Sequence, residues 1–193
     1  MRPILDEISL IGGLSGLILG FVMATWQPVY PEFAFYGIFF AILTLAGLIL
    51  FLASRPVLSF YLSNWRQFLI YVVCVIAGVV ATAAVQFVVL ATGAAVPMSV
   101  MPPDAQAVFL LESAISESYF YFGIAAFFST YLHPAVGVCI PPGLSYFMHQ
   151  FIYGAMPVYI WAVVGSFAVQ SILFLLTGRL SIPVGVHSVV NFI

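Results

Sequence analysis

Charged side chains are nearly missing from this sequence of 193 residues. It contains six acids and four basic residues, so 5% of the chain is charged against 64% hydrophobic. The mean hydropathy of +1.22 lies far above that of soluble domains. Such a chain cannot present a surface that water solvates, which excludes a soluble globular domain. A basic patch is also missing, so we expect no nucleic acid among its partners.

Cysteine is almost as scarce as charge. The chain has Cys74 and Cys139, which lie in or beside apolar runs and form no C-x-x-C spacing. This spacing is not that of a thiolate metal site or a redox motif. We therefore expect both thiols to act as small packing residues.

Long apolar runs dominate what remains. A helix needs about 20 residues to cross a bilayer, and helices leave no backbone group unpaired in lipid. The runs are continuous, whereas the strands of a membrane barrel alternate in polarity. The sequence predicts an all-α, polytopic transmembrane helical bundle of about seven spans, forming one membrane domain over residues 1–193. The expected spans are 8–26, 33–52, 67–92, 105–130, 134–153, 157–177 and a short one at 182–193, with a helix break at Pro141-Pro142.

The few basic residues indicate an orientation. All four are arginines, and with a cytoplasmic N-terminus all four fall on the cytoplasmic side, as the positive-inside rule expects. The opposite connections carry Glu32 and Asp104. We therefore expect a multi-pass protein of the cell membrane whose N-terminus is cytoplasmic. The arginines are Arg2, Arg55, Arg66 and Arg179.

Small residues recur at four-residue spacing in the first span. Gly12, Gly16 and Gly20 lie on one helical face and permit close approach of a second helix. Packing within one chain is the main interpretation, and a homo-oligomer formed through the same face is the alternative.

Polar residues inside apolar runs are the strongest functional signal, because a charge at a helix centre costs at least about 2.5–3.5 kcal/mol on insertion scales. The candidates are Glu117, His149, His187 and Asn191. A rise of about 1.5 Å per residue places the first two at similar depths. His187 and Asn191 share a face at i and i+4. Glu112 is expected to point elsewhere and to be structural.

Several protease types can be tested by motif. A zinc protease would need H-E-x-x-H, which the sequence lacks. An aspartyl type would need two aspartates inside spans, but Asp6 and Asp104 lie at span ends. A serine type is weakly suggested by Gly143-Leu144-Ser145 with His187, although Tyr146 replaces the second glycine of that motif.

Three ordered motifs resemble the CPBP family, which includes the CAAX-prenyl proteases and bacteriocin-processing or immunity-associated membrane proteins. The family motif E-E-x-x-x-R, often followed by Gly, is similar to ESYFYFG at 117–123. The F-x-x-x-H motif is similar to SYFMH, which ends at His149, and H-x-x-x-N is similar to HSVVN at 187–191. The resemblance covers residues 112–193, inside a motif-bearing core that we take as 105–193.

The resemblance implies a glutamate-type intramembrane protease that needs no metal or other cofactor. By analogy, Glu117 would take a proton from water with the help of His149. His187 and Asn191 would donate hydrogen bonds to the tetrahedral oxyanion. The implied substrate is a membrane-associated peptide or a lipidated protein within the bilayer. Membrane lipids are the other expected partner of the protein.

Two departures from the family pattern keep other functions open. Ser118 stands at the second Glu and Phe122 at the Arg, so both members of an ion pair are replaced together. A non-catalytic membrane scaffold or immunity protein of the same fold is the alternative. A third is a metal or haem protein ligated by His149 and His187, and a proton-coupled transporter is a fourth. The seventh helix is expected to stop inside the membrane.

Overall fold

The computed structural model describes residues 2–26, 29–60, 64–92, 103–153 and 157–192. In these residues the chain forms seven helices and two short strands, so the predicted all-α bundle is confirmed. The helices are α1 Glu7–Thr25, α2 Pro31–Ala53, α3 Trp65–Leu90, α4 Pro103–Tyr131, α5 Pro134–Tyr153, α6 Pro157–Thr177 and α7 Ser181–Val190, and the strands are β1 Ile4–Asp6 and β2 Val57–Ser59.

Four helices, α1, α2, α3 and α6, are long and apolar enough to cross a membrane. Large apolar side chains cover the outer faces of such helices: Phe21, Phe87 and Leu176 are 71%, 74% and 76% exposed. Lipid solvates such a surface and water does not. These features indicate a membrane protein, whereas the number of crossings and the side of the N-terminus stay predictions. Helix α7 has ten residues and is the shorter apolar helix.

Helix α5 is continuous through Pro141 and Pro142, so the predicted break there is wrong. A proline inside a helix removes a hydrogen bond and crowds the carbonyl four residues earlier. For Pro141 that residue is Gly137, which packs closely on α4: an added Cβ would lie 2.6 Å from the Ala125 carbonyl oxygen. Packing against α4 and α6 therefore holds together a helix that its own sequence would interrupt.

The glycines of α1 pack within the chain. Gly12 lies against Tyr119 of α4, Gly16 against Ile115 of the same helix, and Gly20 against the backbone of α2. Close contacts of this kind join α1, α2 and α4 into the N-terminal half of the bundle. These three glycines thus pack within one chain, as the main interpretation of the sequence states. A homo-oligomer through α1 stays a prediction.

The two cysteines differ in environment. Cys74 is half-buried against α7, whereas Cys139 is exposed on α5. The expected packing role is therefore wrong for Cys139, which lies on the outer face of its helix.

The three segments that carry the arginines meet at one end of the bundle. Strand β1 pairs in parallel with β2, with Ile4 opposite Val57. The Ile4 N–H donates to the Gly178 carbonyl oxygen over 2.7 Å. The N-terminus, the α2–α3 connection and the α6–α7 connection are thereby tied together, as a shared membrane side for the arginines requires.

Asp6 links this end to the start of α7. Its buried carboxylate accepts hydrogen bonds from the Ser9 backbone N–H (2.8 Å) and the Ser181 hydroxyl (2.8 Å), with an Arg179 nitrogen 3.8 Å away. Burial raises the pKa of Asp6, although the hydrogen bonds from Ser9 and Ser181 and the charge of Arg179 lower it. Ionised Asp6 therefore helps to place α7 but makes a net unfavourable contribution to stability.

Asp6→Asn is expected to leave the melting temperature unchanged or raise it at about pH 7. Because the pKa of Asp6 is higher in the folded than in the unfolded state, its contribution to the free energy of unfolding is complete at low pH. This contribution is lost as the pH rises through the folded-state pKa. The neutral amide keeps an acceptor for Ser9 without the desolvation cost, so its advantage should shrink toward about pH 4. Thermal melting of both proteins in detergent across this pH range measures the difference in melting temperature. Asp6→Ala, which removes the helix cap, should lose about 1 kcal/mol, and a lower melting temperature for both variants would contradict the expectation.

Candidate active site

A cavity of about 420 Å³ lies among the helices of the bundle. One wall is aromatic and comes from the first half of α2 and the start of α4. The polar residues of the lining include Glu117 of α4, His149 of α5 and His187 of α7, with Asn191 directly after the end of α7. The four residues singled out by the sequence thus line one cavity, although they come from three helices.

Glu117 belongs to a polar stripe on α4. Ser113 and Tyr121, one helical turn before and after it, line the same cavity. Residues at i, i+4 and i+8 lie on one helical face, so this face of α4 is turned toward the cavity. The remaining faces of α4 are largely buried against neighbouring helices, which fixes the orientation of the stripe.

His149 is buried and oriented by its own helix. Its Nδ1 atom lies 2.8 Å from the carbonyl oxygen of Ser145. A carbonyl only accepts hydrogen bonds, so Nδ1 must carry the proton. In the neutral ring Nε2 then holds the lone pair, which makes that nitrogen a proton acceptor.

His187 is held by residues of two other helices. Its Nδ1 lies 3.1 Å from the Ser118 hydroxyl oxygen of α4. Its ring meets the edge of the Phe167 ring of α6, with the centroids 4.9 Å apart. When Ser118 donates to Nδ1, the ring proton is on Nε2, and that nitrogen becomes a donor.

Asn191 caps α7 and is held by α4. Its backbone N–H donates to the His187 carbonyl oxygen (3.1 Å), and its side-chain nitrogen donates to the Leu110 carbonyl oxygen (3.1 Å). That nitrogen carries a second hydrogen. One carboxamide can thus be anchored to the protein and still donate to a ligand in the cavity.

Three other polar residues lie outside the cavity lining. Glu112 is 0% exposed, and among the described residues neither carboxylate oxygen has a hydrogen-bond partner. Ser145 is buried, so the serine-type alternative gains no nucleophile beside His187. His133 is exposed in the α4–α5 turn, where its Nδ1 accepts a hydrogen bond from the Ala135 N–H (3.1 Å).

Ser118 and Gln170 are among the polar residues of this region that sequence reasoning missed. The available signal for Ser118 was its position in the motif, where it replaces a glutamate. Gln170 lies in the middle of α6, is fully buried and lines the cavity. Its signal was a carboxamide in an otherwise apolar helix. Phe122, at the motif arginine, is buried among aromatic rings and lies 5.4 Å from the Phe174 ring.

The donor set does not form a metal site. Within the part of the chain that the structure describes, no group of three or more His, Cys, Asp or Glu side chains is placed to hold a metal ion. Glu117, His149 and His187 share a cavity without converging on one point.

The cavity reaches the surface of the bundle where two exposed aromatic rings line it. Phe35 near the start of α2 and Phe151 near the end of α5 are 67% and 87% exposed. These rings belong to the end of the bundle opposite the arginine-bearing segments. Exposed apolar rings and the polar residues thus border the same cavity.

No family model, curated protein or solved structure matches this chain.

Proposed function

We propose that this chain is a multi-pass intramembrane endopeptidase of the glutamate type, similar to the CPBP proteases. The observation that carries the proposal is the position of Glu117, His149, His187 and Asn191 around one cavity. All four are polar residues inside apolar runs, and the three ordered motifs of the sequence contain them. A shared cavity is what a common chemical role requires.

Hydrolysis would begin with a water molecule between Glu117 and the scissile carbonyl. The Glu117 carboxylate takes one proton from this water, and the water oxygen forms a bond to the carbonyl carbon. His149, whose Nε2 holds a lone pair, accepts a hydrogen bond from the same water and orients it. The carbonyl oxygen becomes an oxyanion within the cavity.

His187 and Asn191 would stabilise that oxyanion. Both can offer an N–H group, and both are held in place by hydrogen bonds to α4. Donors that are held in place before the reaction are worth most where water is excluded. When the C–N bond breaks, the proton on Glu117 passes to the leaving nitrogen, which gives a carboxylic acid and an amine.

The proposed substrate is an apolar peptide or a lipidated protein segment in the bilayer. The exposed rings of Phe35 and Phe151 beside the cavity support access from lipid. These rings are distant from the arginines, so a cytoplasmic N-terminus would place them toward the outer leaflet. We place the protein in the cell membrane, in contact with lipids, and propose no nucleic-acid partner and no cofactor.

A non-catalytic scaffold or immunity protein of the same fold is the second candidate. The observation that favours it is the loss of the motif Glu–Arg pair, since Phe122 is packed into an aromatic core. This candidate predicts a co-purifying partner protein and a phenotype that does not depend on Glu117. Metal or haem ligation is less favoured by the donor set, and metal analysis of the purified protein tests it.

Purified protein in proteoliposomes with quenched fluorogenic peptides tests the proposal. Each peptide would carry a leucine- and phenylalanine-rich segment and a polar tail, and mass spectrometry would locate the cut. We expect cleavage inside or at the edge of the apolar segment. Absence of cleavage across the library, together with a co-purifying partner, would favour the scaffold.

Ser118→Ala is expected to lower kcat about tenfold with little change in KM, because the variant releases Nδ1 of His187 and leaves the ring less well oriented. The pH profile of kcat should shift as well, since the tautomer preference of the ring is lost. Ser116→Ala is the matched control: this hydroxyl is buried on the same helix and donates to the Ser113 carbonyl oxygen of that helix (3.2 Å). Equal losses in both variants would mean that Ser118 acts through helix packing.

A further inference from the structure

Gln170 is a buried carboxamide that packing does not explain. It is 0% exposed, and neither its side-chain oxygen nor its nitrogen has a hydrogen-bond partner among the described residues. An unpartnered buried amide destabilises a fold. A residue of this kind in the middle of an apolar helix is therefore expected to have a ligand.

The position of Gln170 indicates where that ligand lies. It shares a face of α6 with Val163, Ser166 and Phe167, and all four line the cavity. Phe167, one turn earlier, contacts the ring of His187. Gln170 thus lies one turn beyond the residue that packs against the proposed oxyanion donor.

Two other polar groups of the cavity lining are already partly engaged by the protein. Asn191 donates to the Leu110 carbonyl oxygen, and the Ser166 hydroxyl donates to the Ala162 carbonyl oxygen over 2.8 Å. Gln170 keeps both an acceptor and donors for a ligand. A peptide group has one N–H and one C=O, and a carboxamide can pair with both.

We propose that Gln170 is a substrate-positioning residue that pairs with a backbone peptide group next to the scissile bond. This inference rests on the proposed peptidase function. The Gln170 oxygen accepts the peptide N–H and its nitrogen donates to the peptide carbonyl oxygen. The pair fixes the register of an apolar substrate whose side chains offer little else to hydrogen-bond, and the substrate class is a peptide with a free backbone N–H at that place.

The test uses the peptide that is cleaved fastest in the fluorogenic library. It also uses versions of this peptide in which one backbone N–H at a time, other than that of the scissile bond itself, is replaced by an ester oxygen. With the wild-type protein, one of these versions should raise KM about tenfold. Gln170→Met should raise KM for the parent peptide by a similar factor while kcat stays close to wild type. In that variant the sensitive ester should cause no further loss, because the bond it removes is already gone.

Stability provides a readout that a structural role would not give. Gln170→Met keeps the length of the side chain and removes an unpartnered amide, so the melting temperature should stay the same or rise. Ser171→Ala is the matched control, since that buried hydroxyl of α6 also has no hydrogen-bond partner within the described part of the chain but does not line the cavity. It should leave KM unchanged. Gln170→Leu serves if the Met variant does not fold.

Two results would overturn the role of Gln170. One is an unchanged KM in both Gln170 variants. The other is a loss of the same factor for every peptide, with the ester effects simply additive, which would indicate a held water or general packing.

Binding of the same peptides to Glu117→Gln protein, followed by fluorescence anisotropy, separates this inference from the proposed function. Binding that depends on Gln170 without any wild-type cleavage would contradict hydrolysis and keep the peptide site. Cleavage that does not depend on Gln170 would contradict the positioning role of Gln170 and keep the proposed hydrolysis. If the peptides are neither bound nor cleaved, both proposals are overturned.

Discussion

Glu117→Gln is expected to lower kcat/KM for peptide cleavage by about 10²–10⁴-fold while the protein stays folded. The amide has nearly the shape of the carboxylate but cannot take a proton from water, and general base catalysis contributes a factor of about this size. Because Glu117 lines the cavity, its replacement should not disturb the packed interior. Initial rates in proteoliposomes and melting curves of the same preparations measure the two effects.

Glu112→Gln is the matched control for this prediction. Glu112 lies on the same helix and is fully buried, but it does not line the cavity. Its replacement should leave the cleavage rate and the melting temperature close to those of the wild type, because a buried amide of nearly the same shape replaces a buried carboxyl group. An equal loss in both variants, or full activity of Glu117→Gln, would contradict the mechanism. His149→Ala should resemble Glu117→Gln rather than the control.

Gly47→Ala is expected to destabilise the fold by about 3 kcal/mol or more. At this point the backbones of α2 and α4 touch: a Cβ at Gly47 would overlap the Tyr119 carbonyl group, and one at Gly123 would overlap the Gly47 carbonyl. No flexible side chain is available to move aside, so the two helices must separate. Thermal unfolding in detergent should show a large decrease in melting temperature and loss of activity.

Gly143→Ala provides the comparison, because no described atom outside the adjacent backbone of its own helix lies within 4 Å of a Cβ added there. Gly143 is also helical, so alanine should stabilise the protein by up to about 1 kcal/mol. Similar losses in the two variants would mean that helix propensity or expression, and not the α2–α4 contact, sets the result.

The seven helices could be predicted from the sequence because lipid imposes a simple rule: long apolar runs must become helices. The site residues could be proposed because polar groups are rare in such runs, so Glu117, His149, His187 and Asn191 were easy to find. The helical rise alone predicted similar depths for Glu117 and His149. Composition and residue spacing are thus enough to predict the helices and the main candidate site residues.

Other features depend on contacts between helices, and the spacing of residues along the sequence does not predict those contacts. Helix α5 continues through Pro141 because Gly137 lets it pack on α4, and a local reading of Pro-Pro-Gly gives the opposite answer. The contact between Ser118 and His187 joins residues 69 positions apart. The empty hydrogen-bonding capacity of Gln170 appears only when its neighbours are known.

Cleavage of a fluorogenic peptide in heavy-oxygen water, analysed by mass spectrometry, tests the central claim most directly. Hydrolysis by an activated water predicts one heavy oxygen atom in the new carboxyl group of the product from wild-type protein. It also predicts that product forms about 10²–10⁴-fold more slowly with Glu117→Gln and that Glu112→Gln gives labelled product at the normal rate. A product without heavy oxygen, or labelled product from Glu117→Gln at the wild-type rate, would contradict a Glu117-activated water.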